Sequence, residues 1–581
     1  MFANIIVDIS HEKLDRPFGY IIPKELEDKI SVGTAVMIPF GRGNRLISGY
    51  VIEITDTPGF DVSKMKPIHS VVENATSVEG ELIKLAWWIK ENYGSTMNQA
   101  LKTVIPVKQT VRGIEKKTIV LNLSKEQLEE KIQTYTKKNA KARVRLLNEL
   151  SNTDRLSKNL VVDKLNISAG TLKAMEQLGD IIIETDTGYR NPVKKIEQKA
   201  YDIILNEQQR QVSENIKKTM DFRKDSKPNI HLIHGITGSG KTEVYIDLID
   251  YTISKGKAVI VLIPEIALTY QTVMRFTRRF GDRVSIINSR LSKGERYDQF
   301  ERAKNGDVDI MIGPRSALFT PFKNLGLIII DEEHESAYKS ESVPKYHATE
   351  VAIKRAKDVG ATLVLGSATP SVESYYRAKN GAYKLHVLNK REKGNLPEVH
   401  VVDLREELKN ENKSIFSIEL QNLIKDRLEK KQQTMLFINR RGYAGFVSCR
   451  DCGEAIKCPH CDVTLKLHRN RKLVCHYCGH TENMPTLCPK CGSKYLGGFG
   501  IGTQQIETAV KKMFPHAKVL RMDADTTSKK GGHDEILSAF ANREADILVG
   551  TQMIVKGHDF PGVTLVGVIA ADMSLYSSDY C

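Results

Sequence analysis

The first 448 residues of this sequence contain no cysteine. A secreted fold stapled by disulfides spreads its thiols through a small domain, so that class is excluded for most of the chain. No apolar run approaches the ~20 residues needed to cross a bilayer, and no charged-then-apolar leader opens the chain. The expectation is a cytoplasmic protein without membrane contact. The charge is not balanced: 86 Lys and Arg stand against 71 Asp and Glu, leaving +15 over 581 residues. That excess favours a polyanionic partner such as nucleic acid. With 41% hydrophobic residues, the chain can form sizeable cores, and wholesale disorder is excluded.

Eight of the nine cysteines then fall between Cys449 and Cys491, and the ninth is Cys581. Their spacing is Cys449-x2-Cys452-x5-Cys458-x2-Cys461-x13-Cys475-x2-Cys478-x9-Cys488-x2-Cys491. Four CxxC pairs supply the ligands of two tetrahedral Zn²⁺ ions, each pair a tight turn that aims two thiolates at one ion. A redox dithiol needs one such pair, not four. A closed four-thiolate site leaves no position for water, so both ions are expected to be structural. Spacing alone leaves the pairing open between sequential, crossed and nested arrangements. The interleaved His460, His468, Arg469, Arg471, Lys472, His476 and Tyr477 face DNA, protein or solvent.

Around this cluster the chain reads as a multidomain α/β protein. Residues 1–108 begin with short β-branched runs ("NIIVDIS", "FGYIIP", "TAVMIPFG", "RLISGYVIEI") that suit a small β-barrel-like domain. The amphipathic helix "EGELIKLAWWIKENYG" follows them. Residues 109–140 are polar and Lys-rich and read as a linker or exposed helix. Residues 141–198 give three helical stretches and then a strand pair, the order of a winged helix. From 199 to 395, and again from 396 to 581, short apolar strands alternate with helices, as in parallel sheets covered by helices. The cysteine cluster, 445–495, interrupts the second of these lobes after its first strand.

The chemistry concentrates in the first lobe. "GITGSGKT" (Gly235, Ile236, Thr237, Gly238, Ser239, Gly240, Lys241, Thr242) lies between a strand and a helix, the context a phosphate loop requires. Backbone N–H groups can close round the phosphates of a nucleotide, with Lys241 reaching the outer ones and Thr242 able to hold Mg²⁺. "LIIIDEEH" ends a strand with Asp331, placed for the metal, and Glu332, placed to orient or deprotonate a water. "LGSATP" ends another strand with Ser367 and Thr369, which can link the nucleotide site to bound nucleic acid. Gln209, in "LNEQQ", is placed to read an adenine edge.

In this order the segments "GITGSGKT", "IPEIALTYQ", "GPRSALF", "DEEH", "GSATP" and "GTQMIVKGHDFPGVT" resemble motifs I, Ia, Ib, II, III and V of superfamily 2 helicases. The fuller phrases "IGPRSALFTPFKNLGLIIIDEEHESAYKSE", "LFINRRGYA", "FGIGTQQIE" and "RMDADTTSKKG", with the cysteine array, resemble the primosomal protein N′ family of bacterial replication-restart helicases. That resemblance implies two RecA-like lobes and ATP-driven 3′→5′ translocation on forked and single-stranded DNA. It implies primosome and helicase-loader proteins and single-stranded-DNA-binding protein as partners. It also implies nested zinc sites, with Cys449, Cys452, Cys488 and Cys491 around one ion and Cys458, Cys461, Cys475 and Cys478 around the other.

By the same resemblance Phe18, Gly41 and Lys66 fall on a pocket for a DNA 3′ end, with Gly19 where some relatives carry an acidic residue. The stretch "ESAYKSESVPKYHATE" resembles a loop that couples DNA binding to hydrolysis. There Tyr338 and Tyr346 offer stacking faces, with Lys339, Lys345 and His347 for phosphates. The family's motif VI, whose arginine reaches the γ-phosphate, is absent before the end at "DMSLYSSDYC". The resulting expectation is a chain that binds nucleotide and DNA but hydrolyses ATP poorly, in the extreme a fork-binding scaffold. A small-molecule kinase explains neither the second lobe nor the cysteines.

Overall fold

Short β-branched runs broken by Gly and Pro open the chain, and in the computed structural model they are strands. The structure describes residues 1–7, 15–41, 43–58, 61–72, 80–104, 114–153, 155–163, 165, 167–188, 204–221, 228–264, 270–289, 291–392, 394, 397–438, 446–468, 471–498, 502–523, 525–527, 532–551, 554 and 560–571. It divides into two compact units, Met1–Leu268 with Val273–Gly394, and Thr269–Thr272 with Asn395–Cys581.

In the first unit, β1 (Phe2–Val7), β2 (Phe18–Ile21), β3 (Ala35–Phe40), β4 (Arg45–Thr55), β5 (Lys66–Pro67) and β6 (Ser70–Val71) form one sheet in the order 5-2-1-4-3-6. Its core is Ile5, Val36, Ile38 and Val51. Next come α1 (Gly80–Tyr93) and α2 (Met97–Val104), whose buried faces include Leu85, Ile89, Ala100 and Leu101. These side chains share one apolar cluster with Leu318, Phe319, Val351 and Ala352 of the first α/β lobe. Each of the Leu, Ile, Val and Phe side chains among them is worth ~1.5–3 kcal/mol when fully buried. The two helices are thus as much part of that lobe's core as of the N-terminal sheet.

The linker expected over 109–140 is corrected. β7 (Ile114–Leu121), α3 (Lys125–Lys137), α4 (Lys141–Thr153), β8 (Arg155–Ser157), α5 (Lys158–Asp163), α6 (Ala169–Gln177) and β9 (Ile181–Gly188) form one winged-helix-like unit, its antiparallel sheet ordered 8-7-9. β7 pairs along its whole length with β9, from Ile114↔Gly188 to Leu121↔Ile181. A strand whose partner lies far downstream gives no local signal, and its lysines read as linker. α3 starts in a capping box of Ser124 and Gln127, and the core holds Ile119, Leu146, Leu150, Leu172 and Ile181. Residues 109–113 and 189–198 lie outside the described residues.

The first α/β lobe follows: α7 (Glu207–Asp221), β10 (Asn229–Gly235), α8 (Lys241–Ser254), β11 (Ala258–Leu262), α9 (Tyr270–Phe280), β12 (Val284–Ile286), α10 (Lys293–Asn305), β13 (Ile310–Gly313), β14 (Leu325–Asp331), α11 (Ala348–Val359), β15 (Thr362–Ser367), α12 (Val372–Lys379) and β16 (Lys384–Leu388). The seven strands are all parallel, in the order 12-13-11-14-15-10-16. Such sheets are covered on both faces, and their strands are continuous apolar runs such as "AVIVL". β15 lies between β10 and β14, so the loops after these three strands emerge side by side at one end of the sheet. In open parallel sheets that end is where ligands bind.

In the second unit, α13 (Leu404–Lys409), α14 (Ile418–Glu429) and β17 (Gln433–Ile438) precede the cysteine module. That module is built from β18 (Val447–Cys449), β19 (Lys466–Leu467), β20 (Lys472–Val474), β21 (Thr481–Asn483) and β22 (Leu496–Gly498). α15 (Thr503–Met513), β23 (Val519–Met522), α16 (Gly532–Ala541), β24 (Ile547–Gly550) and β25 (Val563–Ile569) complete a parallel sheet ordered 23-24-17-25. No helix among the described residues is long and apolar enough to cross a membrane.

Candidate nucleotide site, DNA pocket and metal centres

The phosphate loop turns off β10 into α8. Gly238 and Gly240 hold φ of +79° and +77°, and Gly240 caps α8 with no side-chain hydrogen bond. The first N–H groups of α8 therefore face the loop's hollow, where an anion is favoured. Lys241 Nζ donates to the Gly235 carbonyl at 2.7 Å, and the buried Ser239 hydroxyl has no partner. Both groups suit a phosphate.

Gln209 is fully buried rather than open to a base. Its amide donates to the Ser239 carbonyl at 2.9 Å and to Glu392 at 2.5 Å, while its oxygen accepts from Asn206 N at 2.9 Å. The expected adenine reader is corrected to a brace under the phosphate loop. Arg391 Nε donates to the Thr237 carbonyl at 2.9 Å, so residues 391 and 392 close the same loop from the far side. They sit in a charged run that carried no sequence signal.

Asp331 ends β14. The Tyr245 hydroxyl, from α8, donates to its Oδ1 at 3.0 Å and so ties the two motifs together. Burial and the neighbouring Glu332 charge push Asp331 up to about 6, while Lys241 pulls it down. A cation between Thr242 and Asp331 would relieve that burial cost, so the donor set fits Mg²⁺. Glu332 takes a positive φ of +49°, a strained conformation of the kind found at functional sites. Two further members of the motif have roles that the sequence did not separate. Glu333 is buried and accepts from Ser371 N at 2.7 Å and Ser374 Oγ at 2.8 Å, fixing the start of α12. His334 Nδ1 lies 2.7 Å from Ser367 Oγ, which links the acidic motif to "GSATP".

The loop after the acidic motif departs from expectation. Tyr338 and Tyr346 are buried, with exposures of 1% and 4%, so neither ring offers a face to DNA. The Tyr338 hydroxyl donates to the carbonyls of Asp331 (2.6 Å) and Leu262 (3.1 Å), and Tyr346 packs edge-on against Phe319. Lys339 and Lys345 are exposed.

In the N-terminal sheet Phe18, Gly41 and Lys66 do come together. Lys66 Nζ donates to the Gly41 carbonyl at 2.7 Å, and Phe18 stacks edge-on against Phe40, the residue before Gly41, at 5.2 Å. Gly41 holds φ of +73°, and no atom lies within 4 Å of where a Cβ would stand, which leaves open space beside the backbone.

The cysteines settle into two groups, Cys449, Cys452, Cys488 and Cys491, and Cys458, Cys461, Cys475 and Cys478. This is the nested pairing. The Sγ atoms of Cys449 and Cys491 are 3.7 Å apart, of Cys452 and Cys488 3.7 Å, and of Cys458 and Cys478 3.6 Å. A tetrahedron with ~2.3 Å Zn–S bonds has edges of ~3.8 Å, so both groups fit Zn²⁺. All four turns are alike: Gly453, Asp462, Gly479 and Gly492 each donate N–H back to the carbonyl of the first cysteine of their pair. Each of these residues has positive φ. A hydrogen bond donated to Cys478 pushes the Cys461 thiol up to about 12, and the Cys478 backbone N–H brings Cys475 down to about 7. Thiols this close do not all ionise without a cation between them.

Several motif positions lie outside the described residues: 265–269 of "IPEIALTYQ", 439–445 spanning most of "RRGYA", 499–501 of "FGIGTQQIE", 524 and 528–531 of "RMDADTTSKKG", 552–553 and 555–559 of the motif V segment, Arg469, and 572–581.

Comparison with known proteins agrees with this layout. A family model described as the PriA 3′ DNA-binding domain matches residues 4–106. One described as the type III restriction enzyme res subunit matches 202–372, and one for the PriA DNA helicase Cys-rich region matches 458–482. The replication restart protein PriA of Bacillus subtilis is 39% identical over 100% of this chain and 80% of its own length. Those of Chlamydia muridarum (37%; 100% and 77%) and Haemophilus influenzae (35%; 98% and 76%) are also similar. Among solved structures, RecG bound to a three-way DNA junction overlaps 63% of this chain and 38% of its own at 17% identity and a TM-score of 0.37.

Proposed function

The chain belongs to the family of replication restart protein PriA, and on that premise we propose that it is an ATP-driven helicase that moves 3′→5′ on stalled or abandoned replication forks and prepares them for reloading of the replicative helicase. The observation that carries the reading is the meeting of the Lys241 loop, Asp331 and Ser367 at one end of three adjacent strands, bridged by Tyr245 and His334.

Lys241 and the N–H groups of the loop take the β- and γ-phosphates. Thr242 and Asp331 would hold Mg²⁺, which neutralises charge as the phosphate transfers. Glu332 orients and deprotonates the attacking water. His334 and Ser367 carry the state of that site toward the strand end where "GSATP" leads into α12. In the N-terminal sheet Phe18 stacks on the terminal base of a DNA 3′ end, Gly41 lets the backbone approach it and Lys66 meets its phosphate. Lys339 adds a phosphate contact. The two zinc ions hold the shape of the module in the second unit. On family grounds, primosome and loader proteins and single-stranded-DNA-binding protein are the partners.

The test is ATP turnover and strand displacement by the purified zinc-loaded chain on forks of either polarity. Slow turnover that nevertheless rises with forked DNA and is abolished in Lys241→Ala is expected. Turnover indifferent to DNA, or unchanged in Lys241→Ala, would overturn the reading.

A further inference from the structure

The loop after the acidic motif is anchored at both ends. Tyr338 ties its start to the Asp331 carbonyl, and Arg315 Nη1 donates to the carbonyls of Ala337 and Lys339, each at 2.8 Å. Lys339 pairs with His347 as an isolated antiparallel bridge, and Ser340 N donates to the Tyr346 carbonyl at 2.8 Å. These bonds close residues 339–347 into a narrow-necked hairpin.

The neck is touched by the N-terminal region. Lys339 Nζ sits 5.7 Å above the ring of Tyr93, the last residue of α1. The backbone N–H of His347 is directed at the Tyr93 hydroxyl, and Trp88 braces the ring edge-on at 6.0 Å. A cation over an aromatic face is attracted by the ring's quadrupole, which biases the loop toward this position.

The same α1–α2 junction is tied to the segment that leads into Phe18. Asp15 Oδ1 accepts from Met97 N, the first residue of α2, at 2.5 Å, and Oδ2 pairs with Lys90 of α1 at 3.1 Å. Asp15 is 12% exposed and Lys90 18%, so screening is limited. Arg16, the next residue, lies 5.4 Å over the Phe18 ring. A base stacking on Phe18 competes with Arg16 for that ring, and a phosphate draws Lys66 from the Gly41 carbonyl. Displacement of Arg16 bears on the backbone beside Asp15, and through Lys90 of α1 on Tyr93.

We propose that Tyr93 is a positioning residue through which a DNA 3′ end in the Phe18–Gly41–Lys66 pocket sets the affinity of the Gly235–Thr242 loop for nucleotide. This rests on the function proposed above and adds to it a physical route between its two sites. Contiguous contacts alone do not establish coupling, whereas a changed affinity does.

The experiment titrates a fluorescent ATP analogue with Mg²⁺ into the full zinc-loaded chain. It is done alone, with a saturating short oligonucleotide ending in a free 3′-hydroxyl, and with the same oligonucleotide carrying a 3′-phosphate. Nucleotide affinity is expected to change ~5-fold or more with the free 3′ end, and oligonucleotide affinity to change by the same factor with nucleotide, as linkage demands. In Tyr93→Ala that factor falls to about 1 while each ligand alone binds within about twofold of wild type. Tyr93→Phe keeps the ring beneath Lys339 and retains the factor. Asp15→Asn, which cuts the route at its other end, lowers it. A full factor in Tyr93→Ala, or a factor of 1 in a wild-type chain that binds both ligands, overturns the inference and leaves the function standing. A wild-type chain that binds no nucleotide overturns both.

Discussion

The seven-stranded sheet of the first unit buries Val259, Ile260, Leu327, Ile328, Leu363 and Val364 completely, on both of its faces. The cysteine module has as its apolar core little more than Val447, Ile456, Leu465 and Leu473, packed with its own cysteines. One region is shaped by the removal of apolar surface from water, the other by two metal ions. The Gly235–Thr242 loop therefore rests on a core that needs no ligand, whereas the four cysteine turns have no comparable apolar support. On the proposed function the difference also separates the two ligands: nucleotide would meet a site held by the lobe's core, and zinc would hold together the site it occupies.

The largest test of this contrast is metal removal. Structural zinc contributes ~10–16 kcal/mol of binding energy that is also folding energy. A strong chelator, or Cys475→Ser combined with Cys488→Ser, should unfold residues 446–498 while nucleotide affinity in the first lobe holds. Zinc analysis and proteolysis at that segment would read it out. A module that keeps its protection without metal would erase the distinction.

Next in size is Glu333→Ala, which strips Ser371 N and Ser374 Oγ of their buried acceptor. Its expected cost is ~1–3 kcal/mol, as a lower thermal midpoint of the first unit with the zinc content still two per chain. Acid should act on the same unit. His231 and His386 stack at 5.2 Å in its sheet, and burial holds them at about 3 and about 4 against an ordinary 6.5. Both are neutral when folded and bind protons when unfolded, so the stability they contribute is complete above pH 6.5 and declines as pH falls toward 4. At pH 5 His231 alone accounts for roughly 2 kcal/mol, measurable by denaturant titration of the zinc-saturated chain.

The smallest effect belongs to the one cysteine turn that lacks glycine at its positive-φ position. Asp462 holds φ of +54° where its three counterparts are Gly453, Gly479 and Gly492. Asp462→Gly should tighten the second zinc site by up to ~1 kcal/mol in a chelator competition, less whatever the exposed Lys457–Asp462 pair contributes.

The same contrast explains what was legible in the sequence. The phosphate loop, the DEEH run and the cysteine pairs declare themselves because their chemistry is local: neighbouring residues turn together onto one ligand. Roles set by distant packing do not. Tyr338 and Tyr346 look like stacking faces until the fold buries them under the loop they belong to. Gln209 looks like a base reader until Glu392, far along the chain, takes its amide. β7 reads as linker because its only long partner is β9. The docking of α1 and α2 onto the first lobe was equally hidden, since an amphipathic helix shows that it has an apolar face and not what covers it.

Hydrogen exchange across the whole zinc-loaded chain, with and without ATP and Mg²⁺, tests the central contrast most directly. Protection gained at the Gly235–Thr242 loop and around Asp331, with residues 446–498 unchanged, is the predicted result. Nucleotide that leaves the Gly235–Thr242 loop unprotected, or that orders the cysteine module in place of zinc, would contradict it.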